Sequence, residues 1–110
     1  MIVVYIRNDG GEHEILLRGH ANYADKGHDI VCASATIISY ALARELSIQE
    51  SKGHCVVGNC IMDEGNIRIT AEFAKKNREC QTAFNMAAGA FEMLSNTYKD
   101  YIRISRESVL

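Results

Sequence analysis

The chain has 110 residues, of which 47% are hydrophobic and 24% are charged, and its formal net charge is -2. This length predicts a single domain over residues 1–110, with no room for a separate cofactor domain. The near-neutral charge disfavours a broad electrostatic surface for nucleic acid, so we expect no direct nucleic-acid partner. No uninterrupted apolar run approaches the ~20 residues that cross a bilayer, so we also expect no membrane partner.

The cysteines indicate a reducing compartment. The apolar start of the chain is short and lacks both a basic leader and a small-residue cleavage site, which favours a strand over an export signal. We therefore expect a cytoplasmic protein whose four cysteines are reduced thiols. Cys55 and Cys60 have opposite strand parity, so at least one of them should be packed. Cys80 lies on an apolar helical stripe, and we expect all three of these cysteines to fill the core.

The hydrophobic periodicity predicts seven elements in chain order. Apolar positions at helical spacing indicate two helices, at residues 30–48 and 78–97. Alternation and turn residues indicate five strands, which span residues 2–7, 14–19, 53–62, 67–73 and 101–105. The remaining long connection, residues 20–28, has no apolar period and is interpreted as a mobile surface loop. The order β-β-α-β-β-α-β predicts an α+β fold with two helices packed on a mostly antiparallel sheet.

Several burial expectations follow from these patterns. The first helix carries charge only near its end, and apolar residues outside its main stripe widen that stripe, so it should be buried on more than one side. The residues that widen the stripe are Ile30, Ile37, Tyr40 and Ala41. On the strand that follows the second turn, Arg68, Thr70 and Glu72 should face water. Met86 and Met93 of the second helix are interpreted as core residues.

One segment combines residues that could carry chemistry. His20 ends a strand, a loop follows, and Asp29 is a good N-cap for a helix whose third residue is Cys32. The first helical turn favours negative charge, so a thiolate there is stabilised and can act as a nucleophile. His20 is the natural base, and Asp29 could cap the helix or orient His20. The N–H groups of the helix start could hold an oxyanion.

Other interpretations of these residues stay open. A cysteine in the first turn of an apolar helix can be a packed small residue, and a histidine at a strand end can be a surface residue. A zinc site could use His20, His28 and Cys32 with His54 or Cys55, but these spacings match no recurrent zinc module, so we expect no metal and no cofactor. A redox sensor would need a resolving cysteine, and none lies near Cys32 in the sequence.

Two sequence blocks resemble a known family. Gly-His-Ala at residues 19–21 and Gly-x-Asp-Ile-Val-Cys-Ala at residues 27–33 are similar to the signature of the ribosomal-processing cysteine protease family, Prp. The resemblance covers essentially the whole chain. It implies a bacterial cytoplasmic cysteine endopeptidase that removes an N-terminal extension from a protein of the large ribosomal subunit, next to aromatic residues. It also implies a homodimer with a flexible loop over the site.

The resemblance assigns roles to five residues. It implies Cys32 as the nucleophile and His20 as the general base and then acid, with Asp29 as an orienting or capping residue. Gly19 and Gly27 match the positions that bracket the loop and are expected to be its hinges. The order Ala-Ser-Ala-Thr at residues 33–36 departs from the two alanines, aliphatic residue and serine that are frequent in the family. The substitutions keep small size and a hydroxyl group, but they could alter the pocket floor.

A rival hypothesis and an open question accompany this assignment. The rival is a non-catalytic, ribosome-associated binding module of the same fold, which predicts a thiol of ordinary reactivity. The substrate pocket is the open question, because its walls come from distant segments. Tyr23, Ile37, Tyr40 and the strand that begins at Ile67 are candidates for it.

Overall fold

The computed structural model describes residues 1–108 and contains the seven predicted elements in the predicted order. They are β1 (Ile2–Asp9), β2 (Glu12–Arg18), α1 (Ile30–Ser51), β3 (Cys55–Asp63), β4 (Asn66–Phe73), α2 (Arg78–Thr97) and β5 (Ile102–Ser108). A short 3-10 turn, Ala74–Lys76, precedes α2. The predicted bounds of α2 are confirmed, and α1 continues three residues beyond its predicted end at residue 48.

The five strands form one sheet in the order β3-β4-β2-β1-β5. The pairs β3–β4, β4–β2 and β2–β1 are antiparallel, and β1 pairs with β5 in parallel. The expected α+β architecture with a mostly antiparallel sheet is therefore confirmed. Because β2 pairs with β4 up to Arg18 and Asn66, the end of β2 lies beside the β3–β4 turn. This neighbourhood later forms one wall of the site.

The core lies between α1, α2 and one face of the sheet. Val4, Ile15 and Ile69 are at most 2% exposed, and they belong to one cluster with buried residues of both helices. Burial of such side chains is the main source of stability, at roughly 25 cal/mol per Å² of apolar surface. Both helices lie on this face, so no helix of the described residues 1–108 covers the opposite face of the sheet.

This two-layer arrangement corrects the expectation for α1. The helix buries a single stripe, whereas Ile30, Ile37 and Tyr40 are 49%, 61% and 50% exposed. Ala41, the fourth residue of the wider stripe, is also exposed. The sheet covers one side of α1 and α2 covers the next, and no further described element covers the outer side. The weak charge on this helix therefore reflects an exposed apolar surface, not burial on several sides.

Three further burial expectations were wrong. Met86 and Met93 are both 72% exposed, because they lie on the outer side of α2. Cys60 is exposed, since it follows an irregularity in the edge strand β3, whereas Cys55 and Cys80 are buried as expected. Only part of the core prediction for cysteines is therefore confirmed.

The irregularity in β3 also accounts for Thr70. The register of β3 against β4 shifts between Val57 and Cys60, which is a β-bulge. Thr70 Oγ1 fills the bulge and accepts a hydrogen bond from the Asn59 N–H at 2.8 Å. A Cβ on Gly58 would lie 2.7 Å from the same oxygen. Thr70 is therefore buried at 1% exposure, in contrast to the expectation that it faces water.

By length and composition, α1 is apolar enough to cross a membrane, with a mean hydropathy of 1.3 over an 18-residue window. The core helices of many globular proteins meet the same criterion. In this fold, Val31, Ala35, Leu42 and Leu46 of α1 pack into the core.

Candidate active site

The two sequence blocks meet in a cleft of about 790 Å³. The end of β2, the loop of residues 20–28 (hereafter the site loop), the start of α1 and the β3–β4 turn form its walls. All five residues singled out from the sequence line the cleft, namely Gly19, His20, Gly27, Asp29 and Cys32. The β3–β4 turn, which is far from the other walls in the sequence, joins them because β2 and β4 are neighbours in the sheet.

Cys32 lies in the first turn of α1 and is partly exposed to the cleft. Its Sγ accepts a hydrogen bond from the backbone N–H of Ala21 at 3.4 Å. Ala21 is itself buried, at 2% exposure.

Asp29 divides its two carboxylate oxygens between the helix and the site loop. Oδ1 accepts from the N–H groups of Val31 and Cys32 at 3.0 and 2.9 Å, so the predicted N-cap is confirmed. Oδ2 accepts from the N–H groups of Tyr23 and Ala24 at 2.9 and 3.3 Å. Within residues 1–108, the hydrogen-bond partners of this carboxylate are all backbone groups, and His20 is not among them.

These hydrogen bonds change the acidity of Asp29. Desolvation raises the pKa of this carboxyl group, but the four backbone N–H donors, with Cys32 and Tyr23 the strongest, lower it by more. The net effect places the pKa of Asp29 below its ordinary value of 3.8. Asp29 is therefore ionised at neutral pH and supplies a negative charge at the N-terminus of α1, where the helix dipole favours it.

The contacts of Asp29 also limit which N–H groups are free to donate to an oxyanion. The N–H groups of Val31 and Cys32 point at Asp29 Oδ1, and the N–H of Ala33 donates to the Asp29 carbonyl at 3.0 Å. These donors of the helix start are therefore occupied, contrary to the expectation that they hold an oxyanion. The Ala21 N–H is the donor that faces the sulfur.

His20 lies across the cleft on the β3–β4 turn. A Cβ built on Gly65 would be 2.7 Å from His20 Nε2, so the ring rests directly on the glycine backbone. The Gly19 N–H donates to the Gly65 carbonyl at 3.0 Å and ties the strand end to the same turn. Within residues 1–108, no hydrogen bond joins the His20 ring to Cys32 Sγ. The two side chains line one cleft.

Gly19 and Gly27 both have the backbone conformation that favours glycine, with φ of +96° and +90°. At Gly19 a Cβ would also lie 2.5 Å from the Met1 carbonyl oxygen, so no larger residue fits. At Gly27 a Cβ would meet nothing within 4 Å, and only the φ angle requires glycine. Their role as hinges stays a prediction.

The site loop makes side-chain contacts with two other parts of the fold. The Tyr23 ring packs edge to face on Tyr98 and Tyr101, with centroid distances of 5.4 and 5.0 Å. On the other side, Lys26 Nζ lies 3.3 Å from Glu64 Oε2, in an exposed ion pair of small energetic weight. His28 is exposed, as expected, and lines the rim of the cleft.

The zinc alternative finds no support in the fold. No group of three or more histidine, cysteine or acidic side chains within residues 1–108 is arranged to hold a metal ion. His54 Nδ1 lies 2.6 Å from Gln49 Oε1 and 3.1 Å from Glu79 Oε2, and Cys55 Sγ donates to the Leu46 carbonyl. These contacts occupy the two residues that would have completed the ligand set.

Three of the four pocket candidates line the cleft, namely Ile37, Tyr40 and Ile67. Tyr23 does not line it, because its ring packs on Tyr98 and Tyr101. Sequence reasoning missed Met62 and Gly65, which belong to the β3–β4 hairpin and also line the cleft. The only signal for Gly65 was its place in a turn, and its contact with His20 depends on a strand pairing that no local pattern reveals.

Comparison with known proteins identifies the family. The family described as Cysteine protease Prp matches residues 1–103. The chain belongs to this family. As a Prp family member it is a cysteine protease. A search of curated protein sequences finds no match to the chain.

Solved structures agree with this assignment. One is a ribosomal processing protease Prp from S. aureus in complex with a covalently linked product peptide, with 25% identity and a TM-score of 0.75; the match covers 97% of this chain and 100% of that one. The same S. aureus enzyme with a substrate peptide matches with 23% identity and a TM-score of 0.68, over the same shares of each chain. The protein SMU.848 from Streptococcus mutans matches with 19% identity and a TM-score of 0.71, over 99% and 96%. The last two matches have lower sequence identity and support the fold alone.

Proposed function

We propose that this Prp family member removes the N-terminal extension of a bacterial large-subunit ribosomal protein precursor and thereby contributes to ribosome assembly. The observation that carries the proposal is the convergence of His20, Asp29 and Cys32 on one cleft, with a backbone N–H on the Cys32 sulfur. The peptide complexes of the S. aureus enzyme support a peptide substrate. We further propose that the protein acts in the cytoplasm as a homodimer, without a metal or cofactor.

The first half of the proposed reaction forms an acyl-enzyme. His20 leaves Gly65, approaches Cys32 and takes the proton from Sγ. The thiolate attacks the scissile carbonyl carbon, a C–S bond forms, and the carbonyl electron pair moves onto oxygen. When the tetrahedral intermediate collapses, the C–N bond breaks, and His20 gives its proton to the leaving amine.

In the second half of the proposed reaction, water hydrolyses the thioester. His20 takes a proton from water, and the hydroxide oxygen attacks the acyl carbon. The C–S bond then breaks, the carboxyl product leaves, and the proton returns to the sulfur. The Ala21 N–H is the proposed oxyanion donor in both halves, because it is the donor aimed at the reacting sulfur while Asp29 occupies those of Val31 and Cys32.

The cleft also supports the substrate class. Ile37 and Tyr40 of α1, which are exposed to solvent, face the cleft together with Met62 of β3. An aromatic side chain of the extension would bury these apolar surfaces when it binds, at roughly 25 cal/mol per Å². The family resemblance, which implies cleavage next to aromatic residues, agrees with this chemistry.

Cleavage of a precursor tests the proposal directly. The purified chain is incubated with a large-subunit ribosomal protein that carries its N-terminal extension, and the products are identified by mass spectrometry. We expect one cut within or at the end of the extension, and none with Cys32→Ala. Cys60→Ala, which removes an exposed thiol outside the cleft, should cut like the wild type. An uncut precursor with the wild type, or cutting that persists in Cys32→Ala, would disprove the proposed function.

One observation favours the alternative of a non-catalytic binding module: the His20 ring rests on Gly65 and, within the described residues, makes no hydrogen bond to Cys32 Sγ. The binding module predicts that the wild-type chain and the precursor co-elute intact. It also predicts that Cys32 reacts with iodoacetamide no faster than Cys60. A Cys32 reaction at least tenfold faster, together with cut precursor, excludes it.

A further inference from the structure

The back of the site loop bears a contact that the proposed reaction does not use. Tyr23 turns its ring away from the cleft and packs edge to face on Tyr98 and Tyr101. Its side chain is still 41% exposed, so this ring is not part of the core. An aromatic pair of this geometry contributes beyond its buried area, and two pairs hold a loop more firmly than its backbone alone.

The partners of Tyr23 are firmly anchored. Tyr98 and Tyr101 are partly buried against the core cluster. The Tyr98 carbonyl accepts from the N–H groups of Tyr101 and Ile102 at 2.9 and 3.2 Å, and the Tyr101 carbonyl accepts from the Ile2 N–H at 2.9 Å. The turn between α2 and β5 is thus tied to β1, the strand next to β2. A ring that docks on it is held against the rigid part of the fold.

Tyr23 connects this anchor to the nucleophile through short backbone links. Its own N–H donates to Asp29 Oδ2 at 2.9 Å, and the other oxygen of Asp29 binds the Cys32 N–H. Two residues before Tyr23, the Ala21 N–H lies on Cys32 Sγ. A loop released from Tyr98 and Tyr101 would lose the constraint on both links.

We propose that Tyr23 is a positioning residue whose ring, docked on Tyr98 and Tyr101, keeps the Ala21 N–H on the Cys32 sulfur. This inference rests on the proposed function for its catalytic consequence. The ring positions the backbone groups around the Cys32 sulfur and does not line the cleft. Its loss therefore lowers kcat for the precursor and leaves KM nearly unchanged.

Hydrogen exchange of the Ala21 amide, followed by NMR, tests the contact without any substrate. In Tyr23→Ala this amide exchanges about tenfold faster, because the loop opens more often once the two ring contacts are gone. Tyr23→Phe keeps the ring and the wild-type rate. Tyr5→Ala removes a tyrosine ring from the helix-free face of the sheet and serves as the matched control with unchanged exchange. Tyr98→Ala also accelerates exchange of the Ala21 amide. In the Tyr23→Ala background it adds little to the exchange rate, since both substitutions break the same ring contact.

The catalytic readout is the cleavage of the precursor by folded variants of equal melting temperature. We expect kcat to fall about threefold to tenfold in Tyr23→Ala, with recovery in Tyr23→Phe. Unchanged exchange in Tyr23→Ala, or faster exchange with an unchanged kcat, overturns the proposal. If the wild type cuts no precursor, the proposed function fails, and the exchange rates alone decide whether Tyr23 holds the loop.

Discussion

The two helices of this protein begin with the same pattern, a capping side chain three residues before a cysteine. Asp29 caps α1 and binds the Cys32 N–H at 2.9 Å, and Asn77 caps α2 and binds the Cys80 N–H at 3.0 Å. Beyond this shared start the two thiols differ. Cys32 is open to a cleft and accepts an N–H on its sulfur, whereas Cys80 is fully buried and donates to the His54 carbonyl.

The difference shows that the start of a helix does not by itself activate a thiol. Burial, with smaller contributions from the neighbouring Cys55 and Glu79, raises the pKa of Cys80 to about 12. At pH 7 such a thiol is ionised in only about one molecule in 10⁵. The same local electrostatics therefore accompany an inert core residue in α2 and a candidate nucleophile in α1, and solvent access with a directed donor separates the two.

Removal of each thiol in turn is expected to give the largest difference between the two helix starts. Cys32→Ala is expected to lower precursor cleavage by 10³-fold or more, on the order of the losses seen when nucleophiles are removed from other proteases. Cys80→Ala should leave kcat/KM within about twofold and instead lower the melting temperature, because it removes a buried sulfur from the core. Cleavage assays and thermal melts of both variants decide the matter. Comparable activity in the two variants would contradict the distinction.

A second test compares the histidines that accompany the thiols. His20→Ala should reduce kcat by roughly 10²- to 10⁴-fold, the range of general acid–base catalysis. His54→Ala, beside Cys80, should reduce only stability, since its ring contacts Gln49 and Glu79. Steady-state kinetics with chemical denaturation separates the two effects. A His20→Ala variant with wild-type kcat would remove this residue from the mechanism.

A third test concerns the glycine under the His20 ring. Gly65→Ala places a methyl group 2.7 Å from His20 Nε2 at a φ of +72°, so we expect kcat to fall about tenfold and stability by about 1 kcal/mol. Gly10→Ala is the matched control, because Gly10 has a φ of +65° in the β1–β2 turn and open space around its Cα. It should lose similar stability and keep kcat. Equal kcat values in the two variants would show that the position of the His20 ring on Gly65 does not affect catalysis.

The smallest expected effect is the pH dependence of the two helix starts. Because the folded pKa of Asp29 lies below 3.8, its contribution to stability is present above that pH and is lost as pH falls through the lowered value. The protection of the Tyr23 and Ala24 amides, measured relative to their intrinsic exchange rates, should therefore fall below pH 3.8 in the wild type. Asn77 does not titrate, so amides at the start of α2 should show only the intrinsic pH dependence of exchange. Parallel behaviour at both helix starts would argue against the Asp29 contacts.

Local signals in the sequence were sufficient for most of the fold. The N-cap at Asp29 and the bounds of α2 follow from capping residues and helical spacing, which are properties of short segments. The exposed side of α1 could not be predicted in this way. Apolar residues such as Ile37 and Tyr40 have the same spacing whether a partner covers them or not.

The site was predictable in its residues but not in its contacts. His20, Asp29 and Cys32 stand close in the sequence, so their convergence needed only one loop and one helix start. The position of His20 on Gly65 and the use of Asp29 Oδ2 by the loop depend on long-range strand pairing and loop conformation. The directed donor on the Cys32 sulfur arises from the same long-range arrangement, and periodicity carries no information about it.

The bulge in β3 affects how the edge of the sheet can pair with unfolded chains. β3 is an edge strand, and a regular edge would offer extended peptides a continuous row of backbone donors and acceptors. At Gly58 and Asn59 the bulge breaks that row, and Thr70 takes the Asn59 N–H into the sheet. Extended segments of other proteins thus find a poor template along this edge, which protects the folded chain from recruitment into aggregates.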